Sequence, residues 1–152
     1  MAYWRMQLHP ADSEHAIKHT VESLAAGYIG LDFLRNIGDL MKIPREKLPV
    51  SQRDYWAFAH EMEIGDHVLI IVHHFPFALI TVAGKYNYIR ERAPEIGVWF
   101  RHFRKVKDVK YYADYVTNAN SWQQLTMTDT ISPLRDHKSL SFKLIEEWIH
   151  SV

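Results

Sequence analysis

Five aromatic side chains could bind a flat ligand, because they fall at the ends of predicted strands or on a short helix that leads into one. Stacking of a planar base on an aromatic ring contributes roughly 1–3 kcal/mol. The same side chains could equally fill the core, since Tyr and Trp combine a large apolar surface with one polar tip. The five residues are Trp4, Tyr28, Phe33, Tyr55 and Trp56.

A local excess of positive charge is the second feature that could bind a ligand. The 152-residue chain has 18 basic and 18 acidic residues, so its formal net charge is zero. Residues 85–110 nevertheless carry eight basic and three acidic side chains, a net charge of +5. Such a strip can attract a polyanion, although solvated charges on an outward strand face would have the same pattern. Its basic members are Lys85, Arg90, Arg92, Arg101, Arg104, Lys105, Lys107 and Lys110.

Two histidine pairs have spacings relevant to metal binding. His15 and His19 lie four residues apart on a predicted helix, so they share a face and could chelate zinc. No third ligand is obvious nearby, and an ordinary exposed helix face is the simpler interpretation. His73 and His74 are consecutive at the end of a predicted strand, which would direct their imidazoles to opposite faces. At most one of them could then serve a given site, and we predict neither a metal nor a cofactor.

The sequence lacks the motifs of common enzyme classes and of membrane proteins. It has no cysteine, which excludes disulfides and thiolate metal sites and is compatible with the cytoplasm. No G-x-S-x-G, Walker loop or G-x-G-x-x-G occurs. The longest apolar run, 68–72, is far shorter than the ~20 residues of a membrane span, and the N-terminus does not resemble a signal peptide. We therefore expect a soluble, cytoplasmic protein without catalytic residues.

The elements that would hold these residues follow from apolar periodicity and turn residues. Residues 28–33 form a predicted strand whose glycine indicates a bulge or close backbone approach. A cationic face is expected on the strand 98–106, where aromatic and basic residues alternate. The other predicted strands are 2–8, 67–73 and 78–83, with residues 75–77 linking the last two. The predicted helices are 13–26, capped by Asp12 or Ser13 and ended by Gly27, 51–62, capped by Ser51, and 139–150.

This order of elements predicts a single α+β domain over residues 1–152. We expect a curled, mostly antiparallel sheet of five or six strands that closes toward a barrel, with helices packed outside it. The apolar run 68–72 should be a strand buried on both faces.

Two stretches of the chain resemble EVE domains, a branch of the PUA-like superfamily. The N-terminus matches that family's first-strand pattern Y-W-x-M-x-x-x-P at Tyr3, Trp4, Met6 and Pro10. In the second stretch, residues 52–69, the segment QRDYW resembles the family's short-helix motif, and the segment MEIGDHVL that follows it resembles the family's glycine–aspartate turn into a buried strand. The resemblance extends in order over residues 1–110. It departs from the family at Gln7-Leu8-His9, where lysine–serine–glutamate is usual, and at the Tyr55-Trp56 step.

The resemblance implies a β-barrel with an aromatic pocket for a modified or flipped base. Residues 28–33, YIGLDF, look most like the N-terminal domains of McrB-type modification-dependent restriction enzymes, where a GTP-dependent AAA+ motor follows and recruits a nuclease subunit. The chain would then be an isolated, non-enzymatic domain that binds double-stranded DNA carrying a modified base. The implied base pocket contains Trp4, Tyr28, Asp32, Phe33, Ser51, Gln52, Tyr55 and Trp56, with Asp32 accepting an exocyclic amine. The implied phosphate contacts are Lys85, Arg90, Arg101, Arg104, Lys105 and Lys107.

Two other functions remain open from the sequence. An ASCH-type, RNA- or nucleoside-binding hydrolase would need a lysine and a glutamate that converge in the pocket for acid–base chemistry. Lys85 with Glu61 or Glu63 is the only nearby pair. The third possibility is a protein-interaction domain whose aromatic residues all belong to the core.

Overall fold

A curled, mostly antiparallel sheet forms the scaffold in a computed structural model, which describes residues 2–9, 14–33, 35–112, 125, 127 and 129–150. The described strands are β1 (Tyr3–Met6), β2 (Tyr28–Leu31), β3 (His67–Val72), β4 (Phe75–Val82), β5 (Asn87–Tyr88), β6 (His102–Tyr111) and β7 (Ile131–Pro133). They follow the spatial order β2-β6-β4-β3-β1-β7, and β5 also pairs with β6. All of these pairings are antiparallel except that of β1 with β3. The predicted α+β class and curled sheet are confirmed, with seven described strands where five or six were expected.

Three α-helices accompany the sheet in the described part of the chain: α1 (Ala16–Ala26), α2 (Arg53–His60) and α3 (Leu140–His150). Gly27 ends α1 with a left-handed φ of 88°, as predicted. The predicted caps Asp12 and Ser13 lie outside the described residues. Ser51 does not cap α2: it lies within a 3₁₀ turn, and Gln52 occupies the cap position. None of the helices in the described ranges is both long enough and apolar enough to cross a bilayer.

The apolar run in β3 is buried on both faces, as its sequence predicts. Alternate side chains of a strand point to opposite sides of the sheet. Val68, Ile70 and Val72 accordingly join the main core cluster, which also contains Phe58 of α2. Leu69 and Ile71 face the other way and form a second cluster that includes Ile145 of α3.

The connection between β3 and β4 differs from the prediction. Residues 75–77 belong to β4, and Val72 pairs directly with Phe75, so the hairpin turn consists of His73 and His74. Both residues have positive φ, 52° and 66°. Two-residue hairpin turns need this left-handed backbone to match the twist of the strands. The expectation that the two imidazoles point to opposite faces of a strand is therefore wrong.

Close approach of the backbone occurs at Gly30, as its position in the second strand predicts. A Cβ atom there would lie 2.4 Å from the carbonyl oxygen of His102 and 2.6 Å from the ring of Phe100. Any side chain at this position would force β2 away from β6, which is its only partner strand in the described chain.

Candidate nucleic-acid interface

Strand β6 presents two chemically different faces. Lys105 and Lys107 are exposed on its outward face, whereas His102, Arg104 and Val106 are buried on its inward face. The alternation follows from the two-residue repeat of a strand. The cationic face predicted from the sequence is therefore present, but within residues 102–107 it consists of the odd-numbered residues only.

Two aromatic rings border the lysines on the outward face. Tyr28 of β2 pairs with Lys105 across the sheet, and its ring meets Phe103 edge-on at 5.5 Å between centroids. Both rings are half-buried. Among the described residues no carboxylate forms an ion pair with Lys105 or Lys107. We call Tyr28, Phe103, Lys105 and Lys107 the β6 outer face.

Arg104 does not belong to this surface, contrary to the sequence-based expectation of a phosphate contact. Its side chain is buried, and its guanidinium donates four hydrogen bonds of 2.8–3.2 Å to carbonyl oxygens. Burial lowers the pKa of Arg104. Three of the acceptors lie in the last turn of α2 or two residues beyond it, where carbonyl groups have no donor within the helix. Those acceptors are Phe58, Ala59 and Met62, and the fourth is Gly84.

Asp32 is engaged by two arginines at the end of β2. Its carboxylate accepts hydrogen bonds from Arg92 at 2.7 Å and from Arg101 at 3.0 Å, and it also accepts the backbone N–H groups of Phe33 and Arg101. Partial burial raises the pKa of Asp32, but these hydrogen bonds outweigh that effect and lower the pKa below its usual value. A base amine would have to compete with both arginines, so Asp32 and Arg101 act here as a structural ion pair.

The two stretches that resemble EVE domains contact each other through Trp4 and Asp66. Trp4 is buried, and its indole N–H donates to Asp66 at 3.0 Å. The same carboxylate accepts the backbone N–H groups of Ala2 and Glu63, which fixes the turn before β3. Trp4 thus holds the first strand against this turn and does not line an open site.

The aromatic residues among the remaining predicted pocket residues pack or form hydrogen bonds within the protein, whereas the two polar ones lie at the start of α2. Phe33 is buried and packs against Tyr55 with 5.0 Å between ring centroids, and the Tyr55 hydroxyl donates to Thr130 at 2.7 Å. Trp56 stacks on His60 at 4.1 Å and donates to the Ile43 carbonyl. Ser51 is exposed and Gln52 half-buried at the start of α2.

Two cavities of the molecule lie elsewhere. One, of about 240 Å³, is at the β3–β4 turn, and the other, of about 200 Å³, lies between β4 and α3. None of the eight predicted pocket residues is among the residues that line them.

His102 is an unusual buried residue that the sequence did not single out. Its side chain is fully enclosed, with Nδ1 hydrogen-bonded to the Tyr86 hydroxyl at 2.7 Å and Nε2 without a partner among the described residues. Burial lowers its pKa to about 4, so the imidazole is neutral at pH 7. The rings of Phe33 and Tyr88 complete its surroundings. No local pattern could reveal this environment, because its members come from distant parts of the chain.

The lysine–glutamate pair considered for a hydrolase forms no ion pair among the described residues. Lys85, Glu61 and Glu63 are all exposed, and Glu61 forms an ion pair with Arg135 at 3.9 Å. In the part of the chain described, no group of three or more His, Cys, Asp or Glu side chains could hold a metal ion.

No protein-family model matches the chain, and no curated protein matches it either.

Proposed function

We propose that this chain is a PUA-like domain that binds double-stranded DNA carrying a modified base, as the specificity domain of a modification-dependent restriction system. The β6 outer face would contact the DNA. The observation that carries the proposal is the pair of exposed lysines, which have no carboxylate partner among the described residues and lie beside two half-buried aromatic rings, on a protein with no net charge.

Phosphate binding follows from the charge and exposure of this face. Lysines that contact phosphates release condensed counterions, which makes binding salt-dependent and independent of sequence. Lys85, Arg90 and Lys110 are also exposed and extend the positive region around β6. Because the net charge is zero, we expect the affinity to come from this region and not from a general attraction of the protein for polyanions.

Recognition of the modified base rests on the resemblance to EVE domains and on the aromatic part of the β6 outer face. Tyr28 is the one predicted pocket residue that lies next to the exposed lysines. Its ring can stack on a base, as aromatic side chains do in proteins that bind unpaired nucleotides. The contact between Trp4 and Asp66 supports the PUA-like assignment, because it joins the two resembling stretches in one structural unit.

Fluorescence anisotropy with paired duplexes across a salt series tests the proposal. The duplexes are identical except for an unmodified, methylated or hydroxymethylated base. We expect Lys105→Ala and Lys107→Ala each to weaken binding to all duplexes and to reduce the salt slope by about one per lost contact. Lys138→Ala is the matched control, because Lys138 is an exposed lysine outside this region, and it should leave both quantities unchanged.

The aromatic contribution needs a different variant. Tyr28→Leu keeps an apolar side chain at the position but removes the ring, so it should abolish the preference for the modified duplex while salt-sensitive binding persists. The proposal fails if the wild-type protein binds none of the duplexes at low salt. It also fails if Lys138→Ala weakens binding as much as the β6 variants do.

A further inference from the structure

The cavity of about 240 Å³ at the β3–β4 turn combines three imidazoles with other polar groups. His73 and His74 line it from the turn and His9 from the segment after β1, so the two adjacent histidines share one site. Thr20 and Ala16 contribute from α1. No carboxylate occurs among the described residues of its wall. Its volume is several times the roughly 30 Å³ that one water molecule occupies in the liquid.

The hydrogen bonds of His74 determine which of its nitrogens carries the proton. Nδ1 accepts the backbone N–H of Met127 at 3.1 Å, so in the neutral ring the proton lies on Nε2, which is a donor. A ring that uses Nδ1 in this way and carries a proton on Nε2 cannot serve as a metal ligand. His74 is therefore suited to donate to an oxygen of a ligand.

Thr20 provides the observation that indicates a ligand. Its side chain is 1% exposed, it belongs to the cavity wall, and its hydroxyl has no hydrogen-bond partner among the described residues. A buried hydroxyl without a partner costs roughly 1–3 kcal/mol, so such groups are few in native proteins. An acceptor or donor inside the cavity would satisfy it.

The start of α1 adds to the donors of this site. Ala16 is the first residue of the helix and lines the cavity. The first turn contains no acidic residue. The first backbone N–H groups of a helix lack partners within it and carry partial positive charge, which favours an anion.

The backbone of the turn is held in an uncommon conformation at this site. A turn with two positive φ angles usually contains Asn-Gly or Asp-Gly, and His73-His74 is a departure from that rule. His74 is fixed by two hydrogen bonds, since its carbonyl also accepts the N–H of Leu125 at 2.6 Å. Residues in such conformations persist where surrounding contacts enforce them, and they concentrate at ligand sites.

From these features we infer that the cavity is a binding site for a phosphate monoester group. The described part of the wall offers several donors and contains no carboxylate, which suits a tetrahedral anion with several acceptor oxygens. The phosphate could belong to a free nucleotide or to the 5′ end of a nucleic acid. The inference does not depend on the proposed DNA-binding function, because none of its residues lies on the β6 outer face.

Two variants of His74 separate the site from the stability of the turn. His74→Asn and His74→Asp both tolerate positive φ and both retain an oxygen that can accept the Met127 N–H. They differ in charge, so Asp should repel the anion. We expect His74→Asp to weaken phosphate binding at least tenfold more than His74→Asn does. Thr20→Val, which replaces the hydroxyl with a methyl group of similar size, should weaken binding at least fivefold without lowering the melting temperature.

Isothermal titration of the full chain with inorganic phosphate, at ionic strength held constant with chloride, measures these effects. Adenosine monophosphate, a 5′-phosphorylated oligonucleotide and its 5′-hydroxyl counterpart form the other arms. Saturable binding with the expected variant order supports the inference. Whichever binds more tightly, adenosine monophosphate or the 5′-phosphorylated oligonucleotide, identifies the source of the phosphate. Absence of saturable phosphate binding overturns the inference, and so does equal binding by His74→Asp and His74→Asn.

Discussion

Arg104 and Lys105 are consecutive residues of β6 with the same charge, yet they occupy opposite environments. Arg104 is 4% exposed and donates four hydrogen bonds to carbonyl oxygens, whereas Lys105 is exposed and makes no ion pair with a described residue. The strand sends them to opposite sides of the sheet. A count of basic residues treats the two alike, but the Lys105 side chain is the one that can reach a ligand, and the Arg104 side chain is the one that is hydrogen-bonded within the fold.

The Arg104 guanidinium supplies hydrogen-bond donors to carbonyl groups at the end of α2, which the helix itself cannot provide. Carbonyl groups at the end of a helix lack donor partners within it, and their burial without a donor is costly. The planar guanidinium can serve several acceptors at once, which a lysine ammonium does less well. Arg104 also lies over the ring of Phe58 at 5.6 Å, so it joins α2 to the sheet through both polar and aromatic contacts.

The largest expected effect on stability comes from removing the Arg104 guanidinium. Arg104→Ala should lower the free energy of unfolding by about 3–5 kcal/mol, because it leaves buried carbonyl groups of α2 and Gly84 without a donor. Urea denaturation monitored by circular dichroism measures the change. A loss below about 1 kcal/mol would show that the Arg104 side chain contributes little more to stability than the Lys105 side chain does.

A second test concerns His102, which shares the inner face of β6. Its pKa of about 4 lies below the ordinary value of 6.5, so between these pH values the unfolded chain binds a proton that the folded chain does not. Stability from this residue is therefore complete above pH 6.5 and falls by up to about 3 kcal/mol as the pH drops to 4.

Denaturation curves at several pH values between 4 and 7 distinguish this contribution from that of the carboxylates. His102→Phe cannot gain a proton, so its stability should fall less than that of the wild type over this window. His150→Phe, at an exposed position of α3, serves as the comparison. Parallel pH profiles for His102→Phe and the wild type would contradict the prediction.

The smallest effect on stability is expected on the outer face of the same strand. Lys105→Ala and Lys107→Ala should change the free energy of unfolding by no more than about 0.5 kcal/mol, since neither side chain is buried or paired with a described residue. The same urea experiment provides the measurement. A loss comparable to that of Arg104→Ala would mean that the outer lysines are structural and unavailable for DNA.

Part of the contrast on β6 was present in the sequence. The two-residue repeat of residues 98–106 places Arg104 with Phe100, His102 and Val106, all of which are buried, and Lys105 with the exposed side. Grouping Arg104 with the lysines by charge ignored that repeat. The acceptors of Arg104 could not be foreseen, because they lie 20 to 46 residues away along the chain.

In the candidate sites, too, the sequence identified individual residues, whereas the fold determined which of them lie together. The sequence identified Tyr28, Lys105 and Lys107 individually, but only the pairing of β2 with β6 places them side by side. His73 and His74 were assigned to a strand, whereas the pairing of Val72 with Phe75 makes them a turn that lines one cavity. A one-residue difference in the end of a strand changes which side chains share a site.

By itself the sequence determined the local elements: the curled α+β sheet, the doubly buried strand β3, the close approach at Gly30 and the end of α1 at Gly27. These depend on side-chain periodicity and on backbone freedom at glycine, which act over a few residues. Only the tertiary structure decided which polar groups meet. The partners of Arg104, Asp32 and His102 come from separate elements, and burial fixes their hydrogen bonds after those elements pack.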